Sequence, residues 1–488
     1  MGKLNDFIGE TIVYGFANVF SRVFAMLLIP FYAKFLGKTD YSNLIMLQSI
    51  FSVLTFLLAL NSGVFFFYYK FYKKELKKRV YTTWFYYGIF MTTIILILLS
   101  LFSQNFIQFF VVTESNSSVL AYCVILIGFQ LFPYVFTNTT INYYRVLREP
   151  KKAIGLVFVE ALFTSIFVTS SLYIFNLGLV GVMLSQILSR SLSALIYHKR
   201  SAYFLSIKYF SFRILKKIFA YTWPFFIISV FGWAILSIDK FIGAKQLIDT
   251  SEIALLSLAM QLVIPITILA DMVRMAIGPF VMSIHKENDA QETYQKVFDL
   301  SIFSSAIMVV LISTATPYLT LMLTDKSFLG VIYLVPLMAL SNIFSMASNQ
   351  FSISFGLKMK NIYILYASVI AGIIGILINY LLMAKFGFVV SAYSQVLSYV
   401  AMASFLYFFG IRKVNLKIQL KSGLIYISIL LLYIWVISLE NNNVLKGNFY
   451  GITIYGIIFV GIIMFAYVKT QQINIIALVK NIKTKLKR

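Results

Sequence analysis

Charge is scarce in this chain. Only 12% of its 488 residues are Asp, Glu, Lys or Arg, about half of the roughly 25% usual in a soluble globular protein. Cysteine is nearly missing, since Cys123 stands alone, so neither an intrachain disulfide nor a cysteine metal cage can form. The two histidines, His198 and His285, lie far apart and lack metal-ligand spacing. No Gly-rich nucleotide-binding loop occurs, which argues against ATP hydrolysis. Together these absences exclude a soluble enzyme, a disordered protein and a disulfide scaffold.

What is abundant is apolar: 60% of the residues are hydrophobic and 17% aromatic. A membrane helix needs about 20 consecutive, mostly apolar residues. Fourteen segments qualify: 8–33, 44–69, 80–102, 119–142, 153–175, 178–197, 218–238, 253–283, 297–323, 331–356, 361–384, 387–409, 421–439 and 449–468. The sequence thus predicts an all-α integral membrane protein. The first segment is too long for a cleaved signal peptide and carries Asn18 and Arg22.

The net charge of +24 would point to nucleic acid in a soluble chain, but its placement explains it otherwise. Alternate connections carry the excess: 31 Lys/Arg against 8 Asp/Glu on one face, 7 against 7 on the other. Cytoplasmic loops collect Lys and Arg. Both termini are therefore expected in the cytoplasm, with the basic loops beside anionic lipid headgroups and no nucleic-acid partner.

An internal repeat follows from a shift of 209 residues. GLVGVMLSQILS from Gly178 then meets GFVVSAYSQVLS from Gly387, with six of twelve positions identical. Each copy holds six spans, an even number, so the copies would be parallel repeats about an axis along the membrane normal. The expected layout is a six-helix lobe at 1–197, a cytoplasmic linker at 198–217, a second six-helix lobe at 218–410, and helices 13–14 with a basic tail at 411–488. Substrate is expected where the lobes meet.

Polar side chains inside hydrocarbon are costly and mark wet cavities or helix contacts. One stripe holds Asn18 and Arg22. Another runs Gln130, Tyr134, Asn138, Asn142 and Arg145 at steps of three or four, and a third pairs Gln186 with Arg190. Asn349 belongs to a fourth stripe. Arg22 and Arg190 have no acid within a helical turn, whereas Arg274 follows Asp271 by three residues. Arginine's planar fork matches phosphate, so Arg22, Arg190, Arg274 and Arg145, with the four asparagines, are the candidate anion- and substrate-binding residues. Glu160, Asp271 and Asp239 are the candidate ion-coupling carboxylates; for Glu160 the alternative is a salt bridge to an arginine of a neighbouring helix. Seven of the eight prolines lie in or beside spans, where they bend helices.

Several stretches resemble the polysaccharide transporter, or O-antigen flippase, family of the multidrug/oligosaccharidyl-lipid/polysaccharide exporter superfamily. They are NVFSRVFAMLLIPFYAKFLGKTDYS from Asn18, the loop Tyr144–Lys152, WPFFIISVFGWAILSIDKFIGA from Trp223, the run ending Gly278-Pro279-Phe280, and LLMAKFGFVVSAYSQVLSYV from Leu381. The resemblance covers nearly the whole chain. It implies a non-enzymatic, two-lobed flippase of the bacterial inner membrane. Its cargo would be a glycan repeat unit on undecaprenyl diphosphate, moved from the cytoplasmic to the periplasmic face, with the pathway's polymerase and glycosyltransferases as partners. It implies no cofactor, and coupling to a proton, sodium or membrane potential. The alternatives are a peptidoglycan-precursor flippase, a cation-coupled multidrug exporter of the same superfamily and, more distantly, a membrane glycan polymerase or ligase. The longest outer loop, 103–118, has Glu114 as its only charge and offers no acid pair for glycosyl chemistry.

Overall fold

The computed structural model describes residues 24–58 (without 26), 74–110, 117–146, 149–201, 206–246, 252–273 (without 272), 290–358, 360–414 and 418–470. Every regular element among them is helical. Ten described helices are long and apolar enough to cross a membrane, twelve if each of two bent pairs is one span. One of the ten, 362–414, contains two 25-residue helices, each about 37 Å long at 1.5 Å per residue and sufficient alone. The predicted span 8–33 lies mostly outside the described residues. The count accords with about fourteen spans.

The described contacts group the chain into two compact units, Met1–Leu258 with Ile364–Ser394, and Ala259–Tyr363 with Gln395–Arg488. The first unit holds α1 (Ile29–Phe35), α2 (Gly37–Leu58), α3 (Lys74–Phe110), α4 (Ser117–Val146), α5 (Pro150–Tyr173), α6 (Gly178–Ser201) and α7 (Phe212–Gln246). Most of α8 (Glu252–Leu262) and nearly all of α12 (Ile362–Phe386) join it. The second unit is built from α9 (Ile264–Asp271), α10 (Ala290–Leu323), α11 (Val335–Leu357), most of α13 (Val390–Val414), α14 (Lys421–Leu445) and α15 (Tyr450–Thr470).

Lipid tails are as apolar as leucine, so burial from water cannot drive these helices together; close packing and hydrogen bonds must. In the first unit α3 packs on α7 through Val80, Tyr81, Trp84, Ile214 and Ile218, all buried. Aromatic donors also tie neighbours to α2. Trp84 Nε1 donates to the Leu58 carbonyl at 3.2 Å, the Tyr87 hydroxyl to Leu57 at 2.9 Å and Trp233 Nε1 to Ser49 at 3.1 Å. Cys123 is buried in α4. In the second unit Gly456 of α15 lies against Thr314 of α10, whose hydroxyl bonds Tyr433 of α14 at 2.9 Å. Leu101, Phe129, Leu432, Trp435, Ile457 and Phe465 point outward, each about half exposed or more.

Prolines lie inside three helices and beside two bends. Pro133, Pro224 and Pro317 lie inside α4, α7 and α10. Pro265 opens α9 beside a 45° bend after α8, and Pro336 opens α11 beside a 43° bend. The repeat also has a backbone counterpart. Gly178 and Gly387, aligned by the 209-residue shift, both take positive φ, 54° and 72°. Each lies where one span turns into the next, a conformation that costs glycine nothing.

Candidate functional site

In the first unit, α2, α4, α5 and α6 bring a set of polar and aromatic groups together. Its centre is Arg190, the thirteenth residue of the 24-residue α6. Arg190 Nε donates to Glu160 Oε1 at 2.8 Å, from the middle of α5. The sequence shows no acid within a turn of Arg190, but the expectation of a guanidinium without an acidic partner does not hold. The partner comes from the neighbouring helix, as the alternative reading of Glu160 anticipated. Both groups sit roughly three turns from a helix end, beyond easy snorkelling, so pairing rather than reach to the interface offsets the cost of the charges.

Aromatic faces complete the cation's surroundings. The guanidinium carbon lies 4.5 Å from the Phe51 ring centre and 5.9 Å from that of Tyr134. The two rings meet edge to face at 5.6 Å, a favoured aromatic geometry. One turn away, Gln130 Nε2 donates to Gln186 Oε1 at 2.8 Å. The Thr164 hydroxyl donates to Ser189 Oγ at 2.8 Å, also contacting the Glu160 carbonyl. Arg190 Nη1 is buried without a hydrogen-bond partner. Arg190 and Glu160 remain about a fifth exposed. Since guanidinium carries five N–H donors, the site holds a cation with donor capacity left over.

The other predicted residues fall elsewhere. Asn142 folds onto its own helix, its Nδ2 donating to the Asn138 carbonyl at 2.8 Å and side-chain oxygen at 2.9 Å, so this amide pair bonds within α4 rather than to Arg190, and Asn142 Oδ1 is left buried without a hydrogen-bond partner. Asn349 lies in the second unit on α11, where its carbonyl accepts from Ser352. Asp239 is buried in α7; its Oδ1 accepts from the Lys240 amide at 2.9 Å and lies 3.7 Å from Lys240 Nζ. Asp271 closes α9. Asn18, Arg22, Arg274 and the side chain of Arg145 lie outside what the structure describes. The sequence reading missed Phe51 and the Gln130–Gln186 link; no signal along one helix identifies a partner on another.

No family model matches the chain, and no curated protein does so. Solved structures do. The lipid II flippase MurJ in an inward closed conformation superposes with a TM-score of 0.72 at 15% identity, over 95% of this chain and 100% of that one. An inward-facing multidrug resistance MATE family transporter of the MOP superfamily gives 0.71 at 13%, over 83% and 98%. The chain shares the fold of these transporters. A third match, the MATE multidrug transporter DinF-BH in a ligand-bound form, gives 0.64 at 11%, over 84% and 96%. Such identities establish shared architecture, which both glycolipid and drug transporters use.

Proposed function

We propose that the protein is a flippase that carries a lipid-linked oligosaccharide, a glycan on undecaprenyl diphosphate, from the cytoplasmic to the periplasmic face of a bacterial inner membrane by alternating access. The observation that carries this reading is Arg190: a permanent cation in the middle of a membrane helix, with Nη1 left without a partner. A diphosphate crossing a low-dielectric core needs such a counter-charge, and arginine can bind it while another edge stays on Glu160. The fold shared with a lipid II flippase supports a lipid-linked cargo. Arg22, Arg274 and Arg145 complete the proposed cationic set. Glu160, Asp239 and Asp271 are the proposed coupling carboxylates, for a proton, sodium or membrane potential.

The test is glycan export in cells, probed on blots at equal protein level. Arg190→Gln and Arg22→Gln should each remove most surface glycan, while Arg22→Lys should retain some. Unchanged export in the Arg22→Gln, Arg190→Gln double variant would refute the reading. A second reading, export of an apolar organic molecule, is favoured by one feature: a cavity of about 260 Å³ in the second unit, walled by Phe298, Phe344, Phe351, Tyr407 and Phe408.

A further inference from the structure

At one end of the second unit, α10, α14 and α15 line a second, half-open cavity, of about 560 Å³. That volume lies within the range of small-molecule sites. Its composition changes along the helix axes. At one end stand Lys421, in the first turn of α14, and Lys469, in the last turn of α15, with Gln419, Ser422 and Thr470. One to two turns further along the same two helices the wall becomes Ile425, Ile462, Phe465 and Ala466. A polar, cationic rim and an apolar wall thus lie within about 10 Å along the axes.

The rim is held in place. The Gln295 side chain donates to the Gln419 carbonyl at 3.0 Å and accepts from the Gln419 amide at 2.8 Å. Asp299, the acid of the cavity, is buried and accepts from Gln295 Nε2 at 3.0 Å and from the Ser422 hydroxyl. Phe303 and Tyr467 stack at 3.9 Å, and the Tyr426 hydroxyl bonds Thr470 at 2.8 Å, fixing α15 at this end. Asp299 is therefore occupied within the frame. Lys421 and Lys469 have no ion-pair partner among the described residues.

We infer that this cavity binds an anionic phospholipid, its headgroup phosphate between Lys421 and Lys469 and its first acyl carbons along Ile425, Ile462 and Phe465. Basic pockets between membrane helices on the cytoplasmic side recognise such headgroups. The polarity gradient selects an amphiphile over a bare anion. The chain beyond Thr470 is an unsuitable occupant, since residues 471–488 carry Lys480, Lys483, Lys485, Lys487 and Arg488 and no acid. The inference is independent of what the protein transports.

Native mass spectrometry of the full chain in a neutral detergent tests it, with phosphatidylglycerol, phosphatidylcholine and inorganic phosphate as separate probes. Phosphatidylglycerol should bind in preference to phosphatidylcholine, and millimolar phosphate should leave that binding intact. Each lysine near a membrane surface contributes about five-fold in affinity, so Lys421→Gln with Lys469→Gln should weaken phosphatidylglycerol binding roughly 25-fold. Ala466→Trp, which fills the apolar wall and keeps both lysines, should weaken it as well, and covers the case in which the lysine variant does not fold. Lys216→Gln with Lys217→Gln should change nothing. Equal binding of the two lipids, or undiminished binding in a folded Lys421/Lys469 variant or in Ala466→Trp, would overturn the inference. Displacement by inorganic phosphate alone would assign a free-phosphate site instead and overturn it too.

Discussion

Arg190 and Glu160, 30 residues apart, meet through a 2.8 Å hydrogen bond between the midpoints of adjacent helices. Removing one partner leaves the other charged and short of solvent, whereas removing both does not. A fully buried pair loses about 3–5 kcal/mol on such a change. These side chains keep about a fifth of their exposure, so Glu160→Gln should cost about 2 kcal/mol. Thermal unfolding in detergent should show Glu160→Gln below the parent, with Glu160→Gln, Arg190→Gln recovering part of the loss. A double variant no more stable than Glu160→Gln alone would argue against direct coupling.

Gln130 and Gln186 offer a neutral comparison. Their 2.8 Å amide bond joins α4 to α6. Gln186→Leu should strand the Gln130 amide and cost about 1 kcal/mol. Gln130→Leu with Gln186→Leu removes both polar groups and should restore stability nearly to the parent. The same unfolding assay applies, and a strictly additive double variant would contradict the bond.

Two glycines should respond to alanine for different reasons. At Gly387 a Cβ meets open space, but φ is positive, so the penalty is conformational, about 1 kcal/mol. At Gly456 φ is ordinary, but a Cβ would collide with Thr314. Gly456→Ala should be the more damaging change, by about 1–3 kcal/mol. Thr314→Ala should relieve it and leave Gly387→Ala unaffected.

The face of each loop is open to a direct assay. Reporter fusions at Lys77 and Lys216 should read cytoplasm and one at Ser117 periplasm, as the 31-to-7 division of Lys and Arg predicts. Inversion at two of the three would reverse the topology.

Spans were legible because a bilayer imposes its thickness on every crossing segment. The bends beside Pro265 and Pro336 were legible because a missing N–H acts locally. The Gly178 and Gly387 turns were foreshadowed by the repeat. The Arg190 environment was legible only in part. Gln130, Tyr134, Gln186 and Glu160 could be singled out as polar groups in apolar helices. Their pairing could not, because the spacing rules of one helix relate residues three or four apart, while Glu160, Phe51 and Gln130 come from helices other than that of Arg190 and Gln186. The stripe on α4 divided for the same reason: Gln130 and Tyr134 face α6 and α2, while Asn138 and Asn142 bond to each other.

Cys123 is shielded inside α4, and the sequence holds no second thiol. Water-soluble maleimides should pass the native chain by. Any cysteine placed at an exposed position then becomes the single attachment point for a fluorophore or spin label, with no need to strip the background first. One such position in each compact unit would give a distance that can be followed as ligand is added, and the motion of one unit against the other becomes measurable in the otherwise native protein.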